Sequence, residues 1–137
     1  MNREIKFRAW HKGLKKMFKI GQITLEEGTW NFEPNDREFI GMSIPYQPSL
    51  VLMQYTGLHD KNGKEICEGD IVSKEVFDDT KPNYINKSYA KVVYIEELAG
   101  FYLVNKSNKI LWEVADDKYN IEVISTIYDN PELLGGE

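Results

Sequence analysis

The side chains of this sequence that could make or break bonds are Cys67, His11, His59 and the acids between Glu65 and Asp70. A nucleophilic thiol needs a partner base and a lowered pKa. Cys67 instead stands beside Glu65 and Glu68, and nearby negative charge raises a thiol's pKa. Folding can join distant residues, so separation alone leaves a Cys67–His59 dyad open. No Gly-x-Ser-x-Gly elbow offers a serine nucleophile. Glu65, Glu68, Asp70, Asp78 and Asp79 are candidates for acid–base work, which requires desolvation or close coupling. Acids at turns and strand ends more commonly hold local backbone N–H groups. We therefore expect no catalytic residue.

Ligand-holding patterns are equally thin. One cysteine and two distant histidines do not form a zinc set. Asp60-Lys61-Asn62-Gly63-Lys64-Glu65 has a calcium-loop flavour, but its glycine is fourth rather than sixth and the later bidentate acid is missing. Gly57, Gly63 and Gly69 are evenly spaced, yet they sit among strands and turns and lack a phosphate-loop or dinucleotide fingerprint. The expectation is no metal and no cofactor.

A binding surface has better support. Lys6, Arg8 and Trp10 project together if residues 5–10 are extended, with Lys12, Lys15 and Lys16 in the following turn. Cations can meet phosphates, and an exposed Trp can stack on a base. Residues 1–20 hold seven of the 17 basic groups and one acid, a local charge of +6 in a chain of −5. A chain acidic overall is a poor general polyanion binder. Packing of Trp10 and pairing of the cations with the acidic remainder is the preferred reading, and nucleic acid is the alternative partner. The asymmetry also suits attraction between copies or lobes.

The elements that must position these residues read as strands. The chain has 137 residues, 42% hydrophobic and 12% aromatic, enough for a real core. No apolar run approaches the roughly 18 residues of a membrane span. The opening Met1–Ile5 lacks the apolar stretch of a secretion signal, and a single cysteine suits a reducing compartment. A bacterial cytoplasm is the expected location, with no membrane partner.

Residues 5–10, 16–23 and 24–32 alternate as a small β-meander with turns at His11-Lys12-Gly13 and Glu27-Gly28. Pro34, Pro45 and Pro48 mark 33–49 as an irregular connection. Leu50–Tyr55 is the strongest buried-strand signal. Asn62-Gly63 favours the positive-φ geometry of a hairpin turn, and Glu68-Gly69-Asp70 makes a second. Strands are then expected at 70–77, 89–96, 101–105, 110–114 and 119–128, with a polar loop over 78–87. Five short strands with tight late turns suit a closed SH3-like barrel. Asn130, Pro131 and Gly135 carry the grammar of one helical turn, cap to stop.

Three segments carry a family resemblance: Phe7-Arg8-Ala9-Trp10, then Leu52 through Ile66 running into Glu68-Gly69-Asp70-Ile71-Val72, then Glu122-Val123-Ile124 with Ile127 through Leu134. In order and spacing the sequence resembles the YopX family of phage and prophage proteins. His11 stands where that family often has an acid, and Cys67 where an aromatic is common, which speaks against indispensable chemistry at either. The resemblance implies a mostly β protein with a barrel-like C-terminal part. It brings no catalytic residue to carry over.

The expected architecture is thus mainly β: an N-terminal meander and irregular connection over 1–48, and an SH3-like barrel with a short terminal helical turn over 49–137. The expected function is a non-enzymatic binding or regulatory module. Its partner would be a host or phage macromolecule, with room for a homo-oligomer. The binding candidates are Arg8, Trp10, Lys12, Tyr55, Asp60 and Asp70. Arg8 and Trp10 would anchor a partner, while Asp60 and Asp70 would mainly hold loop geometry. A small enzyme with a carboxylate-lined cleft is the rival from another class.

Overall fold

The structure, a computed structural model, describes residues 4–35, 38, 41–77, 80 and 85–135, with only the backbone of Ile85. The chain divides into two compact units, Met1–Tyr55 and Thr56–Glu137. The division falls inside a strand, not in the proline-marked connection before it.

The first unit holds β1 (Phe7–His11), β2 (Lys16–Glu26), β3 (Thr29–Pro34), β4 (Ile44–Pro45) and most of β5 (Leu50–His59). Their order is β4-β3-β2-β1-β5, all antiparallel. The meander is present, and β5 returns along its far side to make β1 central. The connection read as irregular contributes β4, where Ile44 pairs with Phe32 and enters the core. Alternation explains which face is buried: Ala9 lies opposite both Phe18 and Leu52, and these side chains share one face. Ala9, Phe18, Phe32, Ile44 and Leu50 form the core, with Ile20, Ile23 and Leu52 against it. At the β2–β3 turn Glu27 and Gly28 both take positive φ, 49° and 81°, the condition of a type I′ hairpin.

The second unit holds the end of β5, then β6 (Glu65–Cys67), β7 (Asp70–Phe77), β8 (Ile85–Ile95), β9 (Gly100–Val104), β10 (Ile110–Glu113), the single-turn helix α1 (Val114–Asp117) and β11 (Ile121–Thr126). Its main sheet is antiparallel, in the order β10-β9-β8-β7-β11, and β6 lies beside β5. The loop expected over 78–87 lies mostly outside the described residues, and β8 already begins at Ile85. Ile66, Val72, Ala90, Val92, Leu103, Val114, Ile121 and Val123 make the core.

The expected barrel does not close. Among the described residues β10 and β11 end the sheet at opposite edges and do not pair with each other. The reason is local. β10 has four residues and a register shift between Ile110 and Trp112, and the chain then turns directly into α1. Val114 of that turn is fully buried and joins the core of the unit. At the C-terminus the expected helical turn is a 3-10 turn, Pro131–Leu133. Asn130 precedes it without capping by its side chain, whose amide bonds Ser125 Oγ and Glu132 Oε1 instead.

Candidate functional site

Asp60 follows β5 directly and is 5% exposed. Its backbone frames a tight turn: Gly63 N–H donates to Asp60 C=O at 3.0 Å, and Asp60 N–H to Lys64 C=O at 2.8 Å. Both of its carboxylate oxygens accept backbone hydrogen bonds. Oδ1 accepts the N–H groups of Asn62 and Lys64, both at 2.9 Å. Oδ2 accepts Val123 N–H at 2.8 Å. Gly63 has φ of 81°, whereas Asn62 is not at positive φ. The expected Asn-Gly turn is therefore an aspartate-centred loop with one left-handed residue.

That loop lies along the outer edge of β11. Lys61 N–H donates to Ile121 C=O at 3.1 Å, and Asn62 Nδ2 to Glu122 Oε1 at 3.2 Å. With Asp60 on Val123, the loop occupies the groups a further strand would have used. Burial raises the Asp60 pKa, but the backbone amides of Val123, Lys64 and Asn62 and the charge of Lys64 outweigh it and hold the carboxyl below its ordinary 3.8. A general acid or base needs the opposite displacement and an open lone pair.

The next turn repeats the device. Asp70 is 3% exposed, and its Oδ2 accepts Cys67 N–H at 2.8 Å. Cys67, the single cysteine of the chain, is buried. Thr56 Oγ1 donates to Ile66 C=O at 2.7 Å and accepts Leu58 N–H at 3.2 Å. Residues 56–70 are thus stitched together from within.

The N-terminal candidates lie on the face of the first sheet opposite its core. Arg8 stands across from Lys19 and Met53, and Trp10 from Met17 and Val51. Both are half-buried. Tyr55 shares their face, is buried, and lies beneath Lys6, whose Nζ is 5.5 Å from the ring centroid. Lys6 also meets Glu4 at 3.0 Å, and Lys16 meets Glu38 at 3.3 Å. Lys12 is exposed in the turn after β1, and its N–H donates to Ser49 C=O at 2.8 Å. Arg8, Trp10 and Tyr55 therefore share one sheet face, while Asp60 and Asp70 belong to the other unit.

Two features escaped the sequence. Lys74 on β7 bridges to Asp117 of α1, Nζ to Oδ1 2.9 Å, and lies 4.2 Å from the ring centroid of Trp112. No local spacing could pair residues so far apart in the chain. Beside this pair is a cleft of about 400 Å3 lined by Lys61, Lys74, Glu75, Phe77, Tyr119 and Asn120. Phe77 and Tyr119 are 71% and 75% exposed. Aromatic residues at the ends of two strand segments were the available signal. Among the described residues no three His, Cys, Asp or Glu side chains are placed to hold a metal ion. No helix among them is long and apolar enough to cross a membrane.

A family model described as YopX protein matches residues 6–135. A crystal structure of protein EF1440 from Enterococcus faecalis is similar at 27% identity and a TM-score of 0.62, covering 97% of this chain and 99% of that one. An X-ray structure of protein yopX from Bacillus subtilis is similar in fold, at 21% identity and a TM-score of 0.62, covering 96% and 97%. Among curated proteins none matches.

Proposed function

The chain belongs to the YopX family, and from that premise we propose that it is a non-enzymatic phage or prophage accessory protein that binds a macromolecule in the bacterial cytoplasm. One observation carries this reading: the placement of the buried acids and of the exposed apolar side chains. The buried acids Asp60 and Asp70 serve backbone amides, while large apolar side chains stand in solvent. Leu25 and Trp30 face each other across β2 and β3, both at least half exposed, with Tyr46 beside Trp30. Recognition proteins expose aromatic area in this manner. We read the second unit as an SH3-like arrangement left open at β10 and β11. The partner is a host or phage protein, or a second copy of the chain.

Nucleic acid is the weaker alternative, since Lys6 and Lys16 meet nearby acids and Trp10 is half-buried. The test is capture with the tagged full chain from infected or lysogenic cells, followed by calorimetry with purified components. A stoichiometric complex weakened by Trp30→Ser supports binding. Turnover of a defined small molecule by purified protein, abolished by a single substitution that preserves the fold, overturns it.

A further inference from the structure

Sheet edges are sites of unwanted pairing, and among the described residues three of the four terminal strands, β4, β10 and β11, are guarded. The Asp60 loop occupies the edge of β11. The edge strand β4 has two residues, one of them Pro45. The edge strand β10 is short and interrupted in register. β7 is different. Its pairing with β11 stops at Lys74 opposite Ile121, while its pairing with β8 continues to Phe77 opposite Ile85. Among the described residues Glu75–Phe77 therefore has a strand neighbour on one side only. Along such a strand, alternate residues direct N–H and C=O sideways to solvent.

The open stretch borders the Phe77–Tyr119 cleft. The side chains of Val76 and Phe77 are 37% and 71% exposed. Lys61 and Lys74 line the cleft against one acid, Glu75, and Asp117 neutralises Lys74. Lys118 adds a cation against one of the lining aromatics, its Nζ 5.0 Å from the Tyr119 ring centroid. An unguarded edge offers backbone hydrogen bonds, and a neighbouring aromatic cleft offers side-chain selection. Strand addition by a peptide uses these two components.

Resting on the reading of the chain as a binding module, we propose that the edge of β7 at Glu75–Phe77 accepts an extended peptide segment of a partner protein. An apolar or aromatic side chain of that segment enters the cleft between Phe77 and Tyr119, and an acidic residue faces Lys61 and Lys118. At about 3.3 Å per residue the open edge spans about 10 Å, room for about three peptide residues. The complex is accordingly weak and transient, of the kind used in regulation.

The experiment selects peptides from a random display library against the purified full chain and measures the winners by fluorescence anisotropy. The expected sequences combine an apolar residue with a nearby acid. Phe77→Asp and Tyr119→Ala weaken them by at least about tenfold, and Lys61→Glu weakens acid-bearing peptides selectively. Both aromatic side chains are exposed, so far-UV spectra and unfolding midpoints stay unchanged. N-methylation of every second peptide amide abolishes binding, and methylation of the intervening amides is silent. Failure to select any peptide, or winners indifferent to these substitutions and to N-methylation, overturns the proposal. So does self-association of the chain that Phe77→Asp abolishes, which gives the edge to a second copy. A macromolecular partner held equally by wild type and Phe77→Asp also overturns this site, while leaving the binding reading intact.

Discussion

Replacing Asp60 by alanine removes the acceptor of three backbone N–H groups, one of them on β11. Hydrogen bonds to a charged acceptor are among the stronger ones, and a buried donor left unmet is costly. Asp60→Ala should lower stability by about 3 kcal/mol, read as a shift in the urea midpoint at unchanged slope. The same carboxylate sets a pH dependence. Its folded pKa lies below the unfolded value of 3.8, so its contribution is fully present above that value and is lost as pH falls through the folded pKa. Acid unfolding of Asp60→Ala should therefore show a shallower loss of melting temperature below pH 4 than wild type, on the order of the stability this group contributes. Cys67 gives a third outcome: a buried thiol should react with a thiol reagent only as fast as the protein opens, and immediately in denaturant. The sequence had already assigned Asp60 and Asp70 to loop geometry, because acids beside glycine turns commonly accept local amides. The long-range bond to Val123 could not be read, since no pattern in 60–64 refers to β11.

Between elements, the Lys74–Asp117 bridge ties β7 to α1 with side chains 18% and 13% exposed, and Trp112 covers the ammonium. Partial burial makes the pair worth more than a surface bridge, while stranding either charge is costly. Asp117→Ala should destabilise by about 2 kcal/mol, and a double-mutant cycle with Lys74→Met should return a coupling of about 1 kcal/mol. Strand boundaries from Asp70 to Thr126 were largely legible, because alternating residues between glycine and asparagine turns state their own period. Asp70–Phe77 was placed with its observed ends. β4 was not legible, since prolines mask a two-residue strand whose support is its pairing with β3, Ile44 opposite Phe32 and Pro45 opposite Asn31. α1 was hidden for the same kind of reason: four residues are too few for a helical period, and the buried Val114 is what holds them.

Across the whole molecule, each unit carries its own core, and protection should follow burial within each. Amides of Ile71, Val72, Ala90 and Val92 should exchange most slowly in the second unit, and those of Glu75–Phe77 much faster, in native-state hydrogen exchange followed residue by residue. Uniform protection along β7 would contradict an open edge. The charge asymmetry of the sequence survives as exposed local pairs such as Lys6–Glu4 and Lys16–Glu38. Stability should accordingly respond little to added salt, by less than about 1 kcal/mol.

The sequence by itself determined that this protein is built of strands, where most of them begin and end, and which family it joins. Those properties live in short-range periodicity, turn chemistry and motif order. Tertiary structure alone decided that the second sheet stays open, that Asp60 closes the edge of β11, and that Lys74 meets Asp117. The physical reason is that edges, closures and cross-sheet bridges depend on which strands become neighbours. Sidedness is encoded every second residue, whereas neighbourhood is settled by the packing of a whole core.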